Sequence, residues 1–178
     1  DLLDESERTL ARRLAVFAGG ATADAVDQVC GEDLPDPFGT LAALVDKSLV
    51  VAVPGAPTRY RMLETIREYA RERLAESGEA DERARRHADW TVALVERAEP
   101  ELRTREQLRW LTALRTEAGN VTAALRRAID TGDAETAYRL VAAMFWAWLI
   151  RGAGEESMAW VRAVGELPTE DVPVDVLA

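Results

Sequence analysis

Reactive and metal-binding side chains are scarce in this chain of 178 residues, which has one cysteine, Cys30, and one histidine, His87. One cysteine allows no disulfide within the chain, which fits a reducing cytosol. A lone histidine with no cysteine beside it cannot form a zinc site by itself. No serine or carboxylate lies in a motif that indicates catalysis. We therefore expect no catalytic residue, no metal site and no enzymatic activity.

Positive charge and long apolar runs are also in short supply. The formal net charge is −10, from 22 basic and 32 acidic residues, and the only lysine is Lys47. A surface this acidic repels a phosphate backbone, so direct DNA binding is not expected. The longest apolar run, 140–150, is too short to cross a bilayer, and no signal peptide is visible. We therefore expect a cytoplasmic protein with no membrane partner.

Alanine, leucine, arginine and glutamate are abundant, and this composition favours helices. Cap residues mark the starts of three short helices in the first part of the chain. Asp4 precedes the first helix, predicted over 5–17, and Thr22 precedes the second. Asp36 followed by Pro37 is a strong start signal for the third helix, whose predicted apolar face includes Phe38.

A β-hairpin and a fourth helix are predicted next. Residues 49–53 are rich in valine and indicate a strand, residues 54–57 form a Pro-Gly loop, and residues 59–62 indicate the returning strand. A helix over 64–76 follows and ends at Gly78. Three helices, a hairpin and a trailing helix predict a winged-helix domain over residues 1–78.

From residue 79 onward the pattern is helical throughout. Helices are predicted over 81–98, 105–114, 117 or 120 to 131, 133–151 and 155–165, with Pro100 ending the first of them. Short breaks between helices are typical of antiparallel helical hairpins. The small-residue spacing around 123–140 suggests a degenerate tetratricopeptide-like arm over 79–178, without the full repeat consensus and expected to continue further. The predicted fold class is mainly α, with one small β-hairpin.

Five short segments together resemble one protein family. They are residues 10–20, 44–50, 60–70, 86–88 and 120–125, and their order and spacing cover nearly the whole chain. The chain resembles the winged-helix and tetratricopeptide-like region of bacterial STAND-class (NB-ARC type) ATPase transcriptional regulators of the antibiotic-regulatory kind. The resemblance implies an upstream P-loop ATPase module that binds ADP or ATP, and a helical arm that contacts a protein or small-molecule effector. No GxxxxGK[ST] motif is present in the chain, so no cofactor is expected here.

The resemblance implies a nucleotide-sensing position at Met62, Leu63 and Glu64. Related eukaryotic switch proteins carry Met-His-Asp there, and Leu63 lacks the donor that the histidine offers to the ADP phosphate. Glu64 would instead pair with an arginine of the ATPase module at a helix N-terminus. A simpler interpretation makes Leu63 a core residue at the strand end and Glu64 an ordinary acid of the first helical turn.

A stand-alone DNA-binding winged-helix protein with a helical dimerisation domain is the alternative function. Its phosphate contacts would be Arg59 and Arg61 on the hairpin. The third helix, in the position that reads bases, has few of the Arg, Lys, Asn or Gln side chains that contact base edges, which favours a packing role. In the helical arm, Trp146 and Trp148 face different sides of one helix and are candidates for binding a partner.

Overall fold

A computed structural model describes residues 2–152, 154–170 and 172–177. Two compact units are present, Asp1–Trp90 (unit 1) and Thr91–Ala178 (unit 2). In unit 1 the elements are α1 (Glu5–Arg13), a 3-10 turn (Leu14–Val16), β1 (Ala21–Thr22), α2 (Ala23–Cys30), α3 (Pro37–Asp46), β2 (Val50–Val53), β3 (Arg59–Met62) and α4 (Glu64–Glu76). The helix α5 (Ala80–Glu101) contributes to both units.

The helix starts of unit 1 follow the cap residues that the sequence contains. The Asp4 carboxylate accepts from the amide of Glu7 at 2.9 Å, and the Glu7 carboxylate accepts from the amide of Asp4 at 2.8 Å, which completes a capping box. Thr22 and Asp36 cap α2 and α3 in the same way, by accepting from amides three residues ahead. All three predicted caps are confirmed.

The sheet has three antiparallel strands in the order β1-β3-β2. In the hairpin, Val50 pairs with Met62 and Val53 pairs with Arg59, as the sequence predicts. The sequence prediction missed β1, in which Ala21 pairs with Tyr60. A strand of two residues carries no alternating pattern, so its pairing depends on β3 being in place.

A single apolar core fills unit 1. Its fully or nearly fully buried members are Leu10, Leu14, Phe17, Val26, Val29, Leu41, Leu44 and Val50. Each such side chain stabilises the fold by about 1.5–3 kcal/mol relative to its exposed state. Leu41 and Leu44 place α3 against this core, as predicted. The prediction that Phe38 belongs to the same apolar face is wrong, because half of its surface is exposed in the first turn.

Unit 2 continues with helices only among its described residues. They are α6 (Gln107–Thr116), α7 (Ala118–Thr131), α8 (Ala134–Ile150), α9 (Glu155–Gly165) and α10 (Val174–Leu177). Alanines at 98, 124, 128, 137, 143 and 147 are buried, so these helices pack through small side chains. Gly132 ends α7 in the left-handed conformation, and Asp133 caps α8.

The prediction that Pro100 ends a helix is wrong, because α5 continues to Glu101. Proline removes one backbone donor, yet the amide of Leu102 still donates to Ala98 O at 3.2 Å and closes the last turn. The boundary between the two compact units falls within α5, after Trp90. A domain boundary at Gly78 stays a prediction.

Candidate interaction surfaces of unit 1

The junction between β3 and α4 carries the three predicted nucleotide-sensing residues. Met62 is half-buried against the core of unit 1. Leu63 precedes α4 in an extended conformation, and its side chain is 56% exposed. Glu64 begins α4 and is exposed. Leu63 is therefore not a core residue at the strand end, and it presents an isobutyl group to solvent at the start of the helix.

Glu64 is already paired within α4. Its carboxylate accepts from Arg67 Nη2 at 2.5 Å and from Arg67 Nε at 3.2 Å. The hydrogen bond from Arg67 lowers the pKa of Glu64 below its usual value. The Arg67 side chain is only 13% exposed, and its Nη1 is buried with no hydrogen-bond partner among the described residues. The pair therefore joins an exposed carboxylate to a largely buried guanidinium, whose Nη1 makes no hydrogen bond to a described residue.

An apolar groove of about 810 Å³ lies beside this junction, within unit 1. Its apolar wall is formed by Leu2, Leu3, Ala11, Leu49, Met62, Ile66, Tyr69 and Ala70, from the first residues, α1, the start of the hairpin and α4. Its basic residues are Arg8, Arg12, Lys47 and Arg73. Each of these cations is paired with a glutamate of unit 1, so the groove is mainly an apolar surface.

The two arginines of the hairpin differ in their surroundings. Arg59 Nη2 donates to Gly20 O at 2.8 Å and to Gly19 O at 3.3 Å, so its guanidinium is used to hold the chain that enters β1. Arg61 is exposed. Of the two predicted phosphate contacts, Arg61 is the one whose head group faces solvent.

Gly20 allows the chain that enters β1 to lie close against Tyr60 and Arg61 of β3, and this contact gives a stability prediction. Its φ is +76°, and a Cβ there would come within 2.7 Å of Tyr60 O and closer still to Arg61 Cγ. Gly78 has a similar φ of +77° with nothing within 4 Å of a Cβ. Gly78→Ala is expected to cost about 1–2 kcal/mol of unfolding free energy from the backbone conformation alone.

Gly20→Ala is expected to cost at least about 1 kcal/mol more than Gly78→Ala, because the new methyl group also overlaps neighbouring atoms. Urea denaturation of the two variants measures the difference. Equal losses at the two positions would show that the sheet yields freely at Gly20.

The exposed surface of α3 carries few side chains that could hydrogen-bond to the edge of a DNA base. Its exposed residues are Phe38, Gly39, Ala42 and Asp46. Lys47, directly after the helix, pairs with Glu7. Thr40 donates its hydroxyl hydrogen to Asp36 O at 2.7 Å. Helices that read the major groove normally present Arg, Lys, Asn or Gln, and this surface presents none of them.

Comparison with known families agrees with this architecture. Residues 3–75 match the family described as "Winged helix-turn-helix domain", over α1 to α4 and the whole sheet. Residues 3–75 therefore have a winged-helix fold. The winged helix and the helices that follow it confirm the predicted fold class.

Curated relatives extend the similarity beyond the winged helix. A Mycobacterium tuberculosis H37Rv protein named "Putative HTH-type transcriptional regulator Rv0890c" is 41% identical over 170 residues, 93% of this chain and 19% of that protein. "Uncharacterized protein Rv0894" of the same strain is 45% identical over 85 residues, 45% of this chain and 22% of that protein. The chain thus spans about a fifth of the curated relatives that it matches. No solved structure matches it.

A buried cluster of charges holds the end of α2 in the winged helix. Arg13, whose side chain is 5% exposed, donates to Cys30 O at 3.1 Å and to Glu32 O at 2.6 Å, and it pairs with Glu79. Arg83, at 4% exposed, donates to Val29 O at 3.1 Å and pairs with Glu32 at 2.6 Å. The cations complete the backbone hydrogen bonding that the last turn of a helix lacks. Sequence reasoning missed this cluster.

The cluster yields a prediction for acid stability. Burial raises the pKa of Glu79, but hydrogen bonds from Arg13 and Arg12 outweigh it and hold the pKa at about 2, below the ordinary value of 4.5. A carboxyl whose folded pKa is depressed stabilises the fold above its unfolded pKa and loses that contribution as pH falls towards the folded pKa.

Unfolding free energy should therefore fall between about pH 4.5 and 2, and Glu79→Gln should remove the part of that dependence that comes from Glu79. Glu68→Gln on the exposed side of α4 is the control. Urea titrations at several pH values measure both slopes. Identical slopes for the wild type and Glu79→Gln would contradict the assignment.

The single histidine and the single cysteine both lie in the interior of unit 1. His87 is 3% exposed, and its ring makes an edge contact with Phe17 at 5.3 Å between centroids. Trp90 meets the same phenylalanine at 5.7 Å. Cys30 is fully buried, and burial raises the pKa of its thiol to about 12. Within the described part of the chain, no group of three or more His, Cys, Asp or Glu side chains is placed to hold a metal ion.

The two predicted partner-binding tryptophans of unit 2 lie on different sides of α8. Trp146 is 38% exposed, and the guanidinium of Arg103 lies 5.2 Å from its ring centre. Trp148 is half-buried and lines a small cavity together with Trp160. In the described residues, no helix is both long enough and apolar enough to cross a membrane.

Proposed function

We propose that this chain is the regulatory and interaction module of a nucleotide-switched transcriptional regulator. In this proposal the winged helix packs on an upstream P-loop ATPase module that binds ADP or ATP, and the helices of unit 2 receive a protein or small-molecule effector. The chain itself performs no catalysis and binds no cofactor, and the protein works in the cytoplasm. It couples effector binding to the nucleotide state of its neighbour.

The apolar groove beside Leu63 is the observation that carries the proposal. A winged helix that reads DNA carries its exposed basic and hydrogen-bonding side chains on the recognition helix and the wing. This winged helix exposes Leu63 and Tyr69 around the start of α4, with Ile66 half-buried in the groove between them, whereas the exposed residues of α3 offer bases no side-chain donor. Exposed apolar patches of this kind mark protein contacts. The length of the mycobacterial relatives, about five times the matched region, supports a role within a larger protein.

The same face carries the residues at which coupling would act. Leu63 would insert into the ATPase module, and Glu64 would exchange Arg67 for an arginine of that module. Because the Glu64 carboxylate is exposed to solvent, water screens its pairing with Arg67, and such an exchange would cost little.

Nucleotide release from the full-length protein tests the proposal. Leu63→Asp is expected to speed release of a fluorescent ADP analogue at least about tenfold, since a buried carboxylate would weaken the contact by more than about 1.4 kcal/mol. Glu68→Asp, exposed on the same helix, is the matched control. A full-length protein that binds no nucleotide would refute the proposal.

A DNA-binding winged-helix protein with a helical dimerisation domain is the second candidate. The family match over residues 3–75 and the exposed Arg61 favour it. Anisotropy of a mixed-sequence duplex titrated with the chain separates the two functions. The first candidate predicts no binding at about 50 μM even in low salt, whereas the second predicts binding that weakens steeply with salt. Under the second, Arg61→Gln weakens binding more than Lys47→Gln, because Lys47 is paired with Glu7.

A further inference from the structure

A cavity of about 270 Å³ lies within unit 2, among α6, α7, α8 and α9. Its floor is apolar and comes from Leu114, Val121, Leu125 and Met144, each of which is nearly fully buried. Trp148 of α8 and Trp160 of α9 also line it, and both are half-buried. The cavity therefore combines a closed apolar base with two indole side walls.

The mouth of the cavity is polar and carries both signs of charge. Arg151 and Glu156 line it, and both are exposed, while Ser157 beside them is half-buried. Within the described ranges, none of these three side chains makes a hydrogen bond or ion pair with another residue. By contrast, most arginines of unit 1 are paired with a glutamate. An unpaired cation and an unpaired anion at one opening suit a ligand that bears both charges.

We propose that this cavity binds a small zwitterionic aromatic molecule, of the size and charge of an aromatic α-amino acid. The site is the effector pocket of the regulator proposed above, and in that sense the inference rests on the proposed function. The ligand's ring lies between Trp148 and Trp160, its carboxylate meets Arg151, and its ammonium group meets Glu156.

Size and chemistry both favour this ligand class. A volume of 270 Å³ is the liquid volume of about nine water molecules, which suits a ring with a short polar tail and is too small to enclose a nucleotide. Aromatic rings pack on indoles in offset or edge-on geometry. A guanidinium donates two parallel hydrogen bonds to a carboxylate, so Arg151 would orient the ligand as well as attract it.

The test is a titration of the 178-residue chain with L-phenylalanine, followed by tryptophan fluorescence and by isothermal titration calorimetry. Saturable binding with one site is expected. Arg151→Gln should weaken it at least about tenfold, the usual effect of losing a charged hydrogen bond. Arg105→Gln, whose side chain is 95% exposed and outside the cavity, is the matched control and should leave the affinity unchanged.

Two single-charge probes refine the assignment. 3-Phenylpropionate lacks the ammonium group and 2-phenylethylamine lacks the carboxylate, so each should bind more weakly than L-phenylalanine. Glu156→Gln should weaken 2-phenylethylamine but not 3-phenylpropionate. Lack of saturable binding by all three probes at millimolar concentration would overturn the proposal, as would binding that Arg151→Gln leaves unchanged. Either failure concerns unit 2 alone, because nucleotide release on Leu63→Asp tests the proposed function independently.

Discussion

Replacing Arg13 with methionine is expected to lower the free energy of unfolding by about 3–5 kcal/mol. The substitution keeps an apolar stem of similar length but removes every donor of the guanidinium. It leaves Cys30 O and Glu32 O without that cation, and it leaves Glu79 with Arg12 as its remaining cation among the described residues. Removing one partner of a buried pair is costly because the remaining charge and carbonyls stay away from water. Urea denaturation followed by circular dichroism measures the loss.

Arg73→Met is the matched control for this experiment. Arg73 pairs with Glu76 at 2.5 Å, but the two side chains are 43% and 59% exposed. Exposed pairs contribute about 0–1 kcal/mol, so the control should remain close to the wild type. If Arg13→Met lost no more than Arg73→Met, the cluster around α2 would not stabilise the fold.

Leu44→Ala is expected to cost about 2–5 kcal/mol, because it removes buried methyl groups and leaves a cavity in the apolar core of unit 1. Leu44 is 0% exposed, whereas Phe38 on the same helix is 50% exposed. Phe38→Ala should therefore cost less than about 1 kcal/mol, although phenylalanine is the larger residue. Thermal and urea unfolding of the two variants test the order.

The reverse order of stability would show that Phe38 is buried in solution and that α3 packs by its first turn. In that case α3 would turn a face containing Phe38 towards the core of unit 1. The comparison therefore tests the orientation of the helix that a DNA-reading winged helix would place in the major groove.

Local signals in the sequence were enough to predict most of the elements. Asp4, Thr22 and Asp36 fix helix starts through hydrogen bonds to amides three residues away, so their effect is visible in a short window of sequence. The hairpin is equally local, because its two strands adjoin one loop. The predicted helix end at residue 131 is equally local, since Gly132 follows α7 in a left-handed conformation.

Features that depend on distant partners were not predictable in this way. Arg59 and Arg13 bind backbone carbonyls about 20 to 40 residues away, and every residue type has a carbonyl, so no motif marks the partner. The exposure of Leu63 likewise depends on what packs beside α4, not on its own alternation with Met62. The cavity between Trp148 and Trp160 needs four helices in place before it exists.

The guanidinium groups that reach the end of α2 also tie that end of the helix to α1 and α5. Val29 O is bound by Arg83 from α5, and Cys30 O is bound by Arg13 from α1. If the first turns of α5 detach, Val29 O loses its hydrogen bond from Arg83. Glu32, just after α2, then also loses its ion pairs with Arg83 and Arg86. Hydrogen exchange of the α2 amides should therefore follow that of the first half of α5, as one cooperative unit.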